Sequence, residues 1–466
     1  MRGLWSTIAL LAVLGGLGAY IYFVESDRPA STSVEGEPAR EKFFTVETDK
    51  INEIRINHKG QTTLLRKDTS GWKLVEPMAV DADPPEAISL AQAIANLESV
   101  RKVVDNPSDL TQFGLSDPQT IVDFKAEGGA SGSFKLGSKN PTQSEIYAIK
   151  GGANTVVLVS AFQESSFNKE PFALRDKRIL KFDREKADTL ALTKGANSIQ
   201  LARSGSEWKV VKPVEARSDY SAVEGFITRL SSANMSKLVE EKPADLAKYG
   251  LDKPVMTVTI GAGSAKTVLE VGKTENDQTY ARDASRAMVF TVDSTLQTDL
   301  NKNFDDYRKK ELFEFRPFYV DRLRAVLDSP GGAKAYEFEK VKGAQPTDPE
   351  TWKVTRVGGA SHTADQAAMD DLLNKLITIK AESFVDGKVA TGLDKPALIV
   401  SASFDQGKFE RVRFGQVGDN AYGKRDGEEI TAKVEHMSMR AALQAFDAVV
   451  MPPEPKPATP KAEEKK

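Results

Sequence analysis

Three kinds of stretch in this sequence bring together residue types that do chemistry. GAGSAKT (261–267) sets glycines before a lysine, as a phosphate-cradling loop does. That chemistry needs a glycine next to the lysine and a helix behind it. Ala265 occupies the glycine position and the segment joins two alternating runs, so the spacing predicts a hairpin turn. DADPPE (81–86) concentrates the carboxylate oxygens that a hard cation prefers, but no EF-hand spacing follows. Asp83, with prolines behind it and Glu86 three residues on, instead predicts a helix N-cap. His58, His362 and His436 are scattered, with no H-E-x-x-H helix, and no G-x-S-x-G elbow occurs. Cysteine is absent, which removes disulfides, thiolate nucleophiles and Cys-based metal sites together. The residues therefore nominate no catalytic group, metal ligand or cofactor, and the expectation is a protein that is not an enzyme.

The third kind of stretch is aromatic. Trp72, Trp208 and Trp352 open WKLVEP, WKVVKP and WKVTRV. Exposed, such a row would stack on sugar rings and make a glycan- or peptidoglycan-binding module. Strand-like alternation around each tryptophan favours packing in a core.

The elements that would position these residues recur three times. The tryptophans are spaced by 136 and 144 residues, and Gly114, Gly250 and Gly392 by 136 and 142. Each glycine opens G-L-x-x-P, ending at Pro118, Pro254 and Pro396, and a second glycine follows at Gly137, Gly272 and Gly415. Between tryptophan and glycine, Asp83, Asp219 and Asp365 each precede apolar residues at helical period, Leu90 and Ile94 in the first copy, Phe226 and Leu230 in the second, Leu372 and Leu376 in the third. DLTQFGLSDP (109–118) and DLAKYGLDKP (245–254) read as one helical turn stopped by a left-handed glycine, followed by a leucine that re-enters the core. Beyond each proline the period becomes two, as in TIVDFKA (120–126) and LIVSASF (398–404), which predicts hairpins. The fold class expected is α+β: three tandem units, at 43–180, 181–313 and 314–449, each a mainly antiparallel sheet plus a helix. The basic runs at the junctions (Arg175, Lys177, Arg178; Arg308, Lys309, Lys310) alternate with acids and are expected to be solvated or salt-bridged.

Residues 3–24 form an uncharged apolar run of 22, long enough at 1.5 Å per residue to cross roughly 30 Å of hydrocarbon. Arg2 before it and Glu25 and Asp27 after it predict a single-pass anchor with the N-terminus in the cytoplasm and the bulk outside. A cleaved signal peptide is the alternative, with Gly-Leu-Gly-Ala at 16–19 as the small-residue site, although the run exceeds an ordinary h-region. Residues 25–42 read as a polar linker and 450–466, rich in Pro, Lys and Glu, as a solvated tail. With 64 basic against 67 acidic residues no field points to nucleic acid.

The combination of an N-terminal anchor with repeated W-K-x-x-x-P, an Asp-capped helix, D-L-x-x-[FY]-G-L-x-x-P and a strand ending in Leu/Val-Gly resembles the bacterial DUF4340 family. The third copy departs from it, lacking the proline after Trp352 and the Asp-Leu turn. The resemblance implies a single-span protein of the inner membrane and periplasm, associated with ABC-type transport or gliding-motility components. The expectation is a non-enzymatic extracytoplasmic scaffold whose partners are the membrane, through residues 3–24, and proteins of an envelope transport complex.

Overall fold

The computed structural model describes residues 40–451 apart from 330–331, 344, 346–348 and 386. The expected anchor at 3–24, the linker up to residue 39 and the tail from residue 452 lie outside the described residues. Among the described residues no helix is long and apolar enough to cross a membrane. The chain divides into two compact units, the first ending at Lys177 and the second beginning at Arg178.

The first unit holds one nine-stranded antiparallel sheet. Its strands in chain order are β1 (Ile51–His58), β2 (Gln61–Asp68), β3 (Gly71–Glu76), β4 (Val80–Asp81), β5 (Arg101–Asp105), β6 (Thr120–Ala126), β7 (Ser131–Lys139), β8 (Glu145–Lys150) and β9 (Thr155–Ser160). Their spatial order is β4-β3-β2-β1-β6-β7-β8-β9-β5. Helix α1 (Pro84–Ala95) lies in the chain between the two edge strands β4 and β5.

The second unit contains two more sheets with the same order. One is built from β10 (Thr189–Lys194), β11 (Asn197–Ser204), β12 (Glu207–Lys212), β13 (Ala216–Arg217), β14 (Lys237–Glu240), β15 (Met256–Ala262), β16 (Ala265–Glu275), β17 (Gln278–Asp283) and β18 (Val289–Val292). Helix α2 (Tyr220–Ser232) separates β13 from β14. The other sheet uses β19 (Val320–Leu327), β20 (Lys334–Val341), β21 (Thr351–Arg356), β22 (Ser361–Thr363), β23 (Ala381–Val385), β24 (Leu398–Phe404), β25 (Lys408–Val417), β26 (Asn420–Arg425) and β27 (Thr431–Val434), with α3 (Gln366–Thr378) between β22 and β23. A last helix, α4 (His436–Val450), follows.

These proportions correct the α+β expectation: the fold is mainly antiparallel β, with few helices. The capped helix is the loudest signal in each repeat, whereas an edge strand such as β5, RKVVD, is almost wholly exposed and shows no alternation to read.

The helices α1, α2 and α3 begin as their residues dictate. Asp83 Oδ1 accepts from the Glu86 amide at 3.2 Å, Asp219 from Ala222 at 3.0 Å and Asp365 from Ala368 at 2.9 Å, satisfying a donor that the first turn leaves free. One stripe of each helix is buried: Leu90 and Ile94, Phe226 and Leu230, Leu372 and Leu376 among others. Each such side chain contributes roughly 1.5–3 kcal/mol by leaving water.

The repeated turn is a single 3-10 turn, Thr111–Phe113 or Ala247–Tyr249, closed by a left-handed glycine, Gly114 at φ 69° or Gly250 at φ 66°. Asp109 and Asp245 each accept from the amide two residues on, at 2.8 Å, which explains the Asp of the motif. A Cβ on Gly137, Gly272 or Gly415 would overlap the carbonyl oxygen of Phe113, Tyr249 or Thr391. The turn therefore rests directly on the strand backbone, and the paired glycines are what permit that approach. Pro118, Pro254 and Pro396 sit two residues before β6, β15 and β24, where a proline keeps the chain extended.

Candidate functional site

Most of the residues singled out from the sequence are used to build the fold. Trp72, Trp208 and Trp352 are 7, 3 and 1% exposed, so none of them offers a stacking face to a sugar. Trp208 donates its indole N–H to Glu224 Oε1 at 2.7 Å, and Arg203 reaches the same oxygen at 2.7 Å. Tyr147 and Tyr280 pack on the turn aromatics Phe113 and Tyr249, with ring centroids 5.0 and 5.1 Å apart, and Tyr422 is buried. GAGSAKT forms the β15–β16 hairpin, with Gly263 at φ 62°. Asp81 pairs with Lys73, and among the described residues no three His, Asp or Glu side chains group as metal ligands.

The junction runs, expected to be solvated or salt-bridged, do form ion pairs, as Lys309 does with Glu314, but two of their arginines are also buried. Arg175 and Arg308 are both 2% exposed. Arg308 lies over the rings of Phe384 and Phe304, at 3.4 and 5.1 Å from their centroids, and burial pulls its guanidinium below its ordinary value. Two aromatic faces and Asp305 at 3.5 Å make that burial tolerable. In the second unit Arg308 also bridges to Ser218 and Glu311 to Lys380, so this stretch is hydrogen-bonded both to the segment before α2 and to the segment after α3. Around it Arg217 meets Glu314 at 3.1 Å and also pairs with Glu428, while Lys309 holds Glu314 at 2.9 Å. Burial pushes the Glu314 carboxyl up, but Lys309 and Arg217 outweigh it and hold the group down at about 2. The buried Glu410 pairs with Arg425 in the same network.

One face of the third sheet stays exposed in a way that folding does not account for. Leu323 and Ala325 of β19 point into the core, so Arg322 and Arg324 point out. Register places Ser403 and Ser401 of β24 beside them, then Phe409 and Arg411 of β25, with Arg413 next along that strand. The surface forms two adjoining hollows of about 420 and 660 Å³ that share Arg324, Ser401 and Arg411. Three carboxylates partly offset the four guanidiniums: Glu339 lies 2.9 Å from Arg322, Glu337 3.9 Å from Arg324, and Asp426 is divided between Arg411 at 3.6 Å and Arg413 at 3.1 Å. Phe409 is 57% exposed, and Phe318 and Tyr319, at the same end of the sheet, are 80 and 48% exposed. Arg411 lies 5.5 Å from the Phe409 ring centroid.

The other sheets supply the control. The four arginine positions are held in the first sheet by Glu53, Arg55, Ser133 and Lys135. In the second they are held by Thr189, Ala191, Val268 and Glu270. Four arginines in register occur in the third sheet alone, so the common fold does not require them. Sequence reading missed this surface because R-L-R in β19 and R-V-R in β25 lie nearly ninety residues apart and meet only across β24.

Comparison with known proteins bears on family and not on this surface. No curated protein matches the chain. Among solved structures, a DNA polymerase sliding clamp from Pseudomonas aeruginosa crystallised with a ligand matches at 9% identity, covering 84% of this chain and 92% of that one, with a TM-score of 0.16. A second structure of that clamp matches at 11% identity, covering 84% and 93%, with a TM-score of 0.15. Scores so low carry no argument about fold or function. The family model described as Domain of unknown function (DUF4340) matches residues 72–209 and 208–396, which include the tryptophans, capped helices and glycine turns of the first two copies and reach Pro396 of the third. The chain belongs to the DUF4340 family.

Proposed function

We propose that this protein is a non-enzymatic scaffold of the bacterial cell envelope, held at the inner membrane by residues 3–24 with its bulk on the extracytoplasmic side. Its third sheet docks an acidic protein partner belonging to an ABC-type transport or gliding-motility complex. The observation that carries this reading is the surface of Arg322, Arg324, Arg411 and Arg413 beside exposed Phe409, Phe318 and Tyr319. Arginine and aromatic side chains dominate the energetics of protein interfaces, because both bury large planar areas and arginine grips carboxylates through two parallel bonds. The apolar run at 3–24 and the charges flanking it support the address.

Affinity recovery of the full chain from solubilised membranes tests the reading. A permease or ATPase component is expected to accompany the native protein and to be lost, by tenfold or more, from R322E/R324E/R411E. Recovery with no such component refutes the transport role. A partner retained undiminished by the triple variant refutes the docking surface.

A further inference from the structure

A different feature sets the second copy apart: an open cavity of about 670 Å³ at one end of its sheet, within the range of small-molecule sites. Its floor is Leu192, Met256 and Leu300, buried residues of the sheet and of the short helix Ser294–Leu300, and Ile199 and Phe304 form the walls. The cavity follows from what covers each sheet. In the third copy the longer helix α4 brings Phe446 to within 5.4 Å, centroid to centroid, of Tyr336, which occupies the register position of Ile199. In the first copy that position is Thr63, only 3% exposed. In the second copy the covering helix spans only seven residues, and Ile199, partly buried, lines the space that is left.

The rim has its own chemistry. Lys194 and Lys212 both line the mouth, and among the described residues neither has an ion pair or a side-chain hydrogen bond. Their counterparts are His58 and Glu76 in the first copy and Leu327 and Arg356 in the third, so the pair of lysines is peculiar to the second. Lys302, also on the rim, is already engaged by Asp299 at 2.8 Å. An apolar hollow with two unengaged cations at its mouth complements a molecule that has a hydrocarbon tail and one anionic head.

We infer that this cavity binds a single-chain anionic amphiphile, of the fatty-acid type, with the chain against Leu192, Met256 and Leu300 and the carboxylate between Lys194 and Lys212. The surface argued above for a protein partner is on another sheet, so either assignment can fail without the other.

The test uses the full chain in lipid nanodiscs with a photoreactive palmitate at trace level, mapping the labelled peptides by mass spectrometry. Label is expected to concentrate at least tenfold in residues 192–213 and 296–304. Excess palmitate should displace it, and hexadecanol, which lacks the charge, should do so at least tenfold less well. Two variants act independently: Ile199→Trp fills the cavity, and Lys194→Glu with Lys212→Glu reverses the rim. Each should lower labelling there at least tenfold while hydrogen exchange in the second sheet stays native. Label spread in proportion to exposed surface overturns the inference, as does equal competition by hexadecanol or undiminished labelling of a natively folded variant.

Discussion

Glu410 is 3% exposed, and a carboxylate so buried must be stabilised by what surrounds it. It accepts from the backbone amides of Glu314 and Phe315, both at 3.1 Å, and from Arg425, whose guanidinium also donates to the Leu312 carbonyl at 3.2 Å. Glu410→Ala leaves two amides without an acceptor and a largely buried cation without its main partner. Breaking one side of such a pair costs about 3–5 kcal/mol. Glu314 lies 3.5 Å from Arg425 and offsets part of that loss, so about 3 kcal/mol is the expected figure. With several sheets the chain does not unfold in one step, so a single melting point would mislead. Hydrogen exchange read peptide by peptide measures each sheet separately. Amides of β24, β25 and β26 should exchange about 150-fold faster in Glu410→Ala, the equivalent of 3 kcal/mol. Those of β1 and β6, in the first unit, should be unchanged and serve as reference. Glu410→Leu combined with Arg425→Met should cost less than the single change, because no buried charge is left alone. Third-sheet exchange within threefold of native in Glu410→Ala refutes this account of the network.

Other substitutions test the remaining physics. Because Glu314 is held at about 2, below its ordinary 4.5, its contribution is complete above pH 4.5 and is lost as pH falls towards 2. With a third of the side chain exposed to screening solvent, that contribution is roughly 1–2 kcal/mol, seen as an acid-induced loss of protection in the second unit that Glu314→Gln should flatten. Glycine-to-alanine changes should have opposite signs: Gly272→Ala collides with the Tyr249 carbonyl and should cost about 1–3 kcal/mol, whereas Gly225, inside α2 with open space beside it, should gain about 0.5–1 kcal/mol. Equal effects at the two sites, by hydrogen exchange of the β15, β16 and α2 amides, would contradict the close-approach argument. Asp219→Ala removes the α2 cap and should cost about 1 kcal/mol, while Asp219→Asn should restore most of it.

Much of the fold was legible because it is written in local periods. Asp83, Asp219 and Asp365 announce helices by cap chemistry, and the stripes behind them match the buried faces. G-L-x-x-P marks a turn that only a left-handed glycine closes. Less legible was the weight of β structure: a two-residue edge strand such as β4 is too short to show a period, and the exposed β5 shows no alternation and pairs with β9, remote in sequence. The burial of Arg308 was hidden for a similar reason, since its cover comes from Phe304 nearby and from Phe384 far along the chain.

The sequence by itself determined the caps and the turns, because each depends on residues within one helical turn or one hairpin of each other, and the recurrence of those local signals at a nearly fixed spacing determined the repeat; composition alone excluded thiol chemistry. Only the tertiary structure decided which side chains share a surface. It stacked four arginines across the face of the third sheet, and left Lys194 and Lys212 at the mouth of a cavity that a short helix fails to fill. Those outcomes depend on pairing between distant strands and on the length of the element that packs over them, which no local pattern encodes.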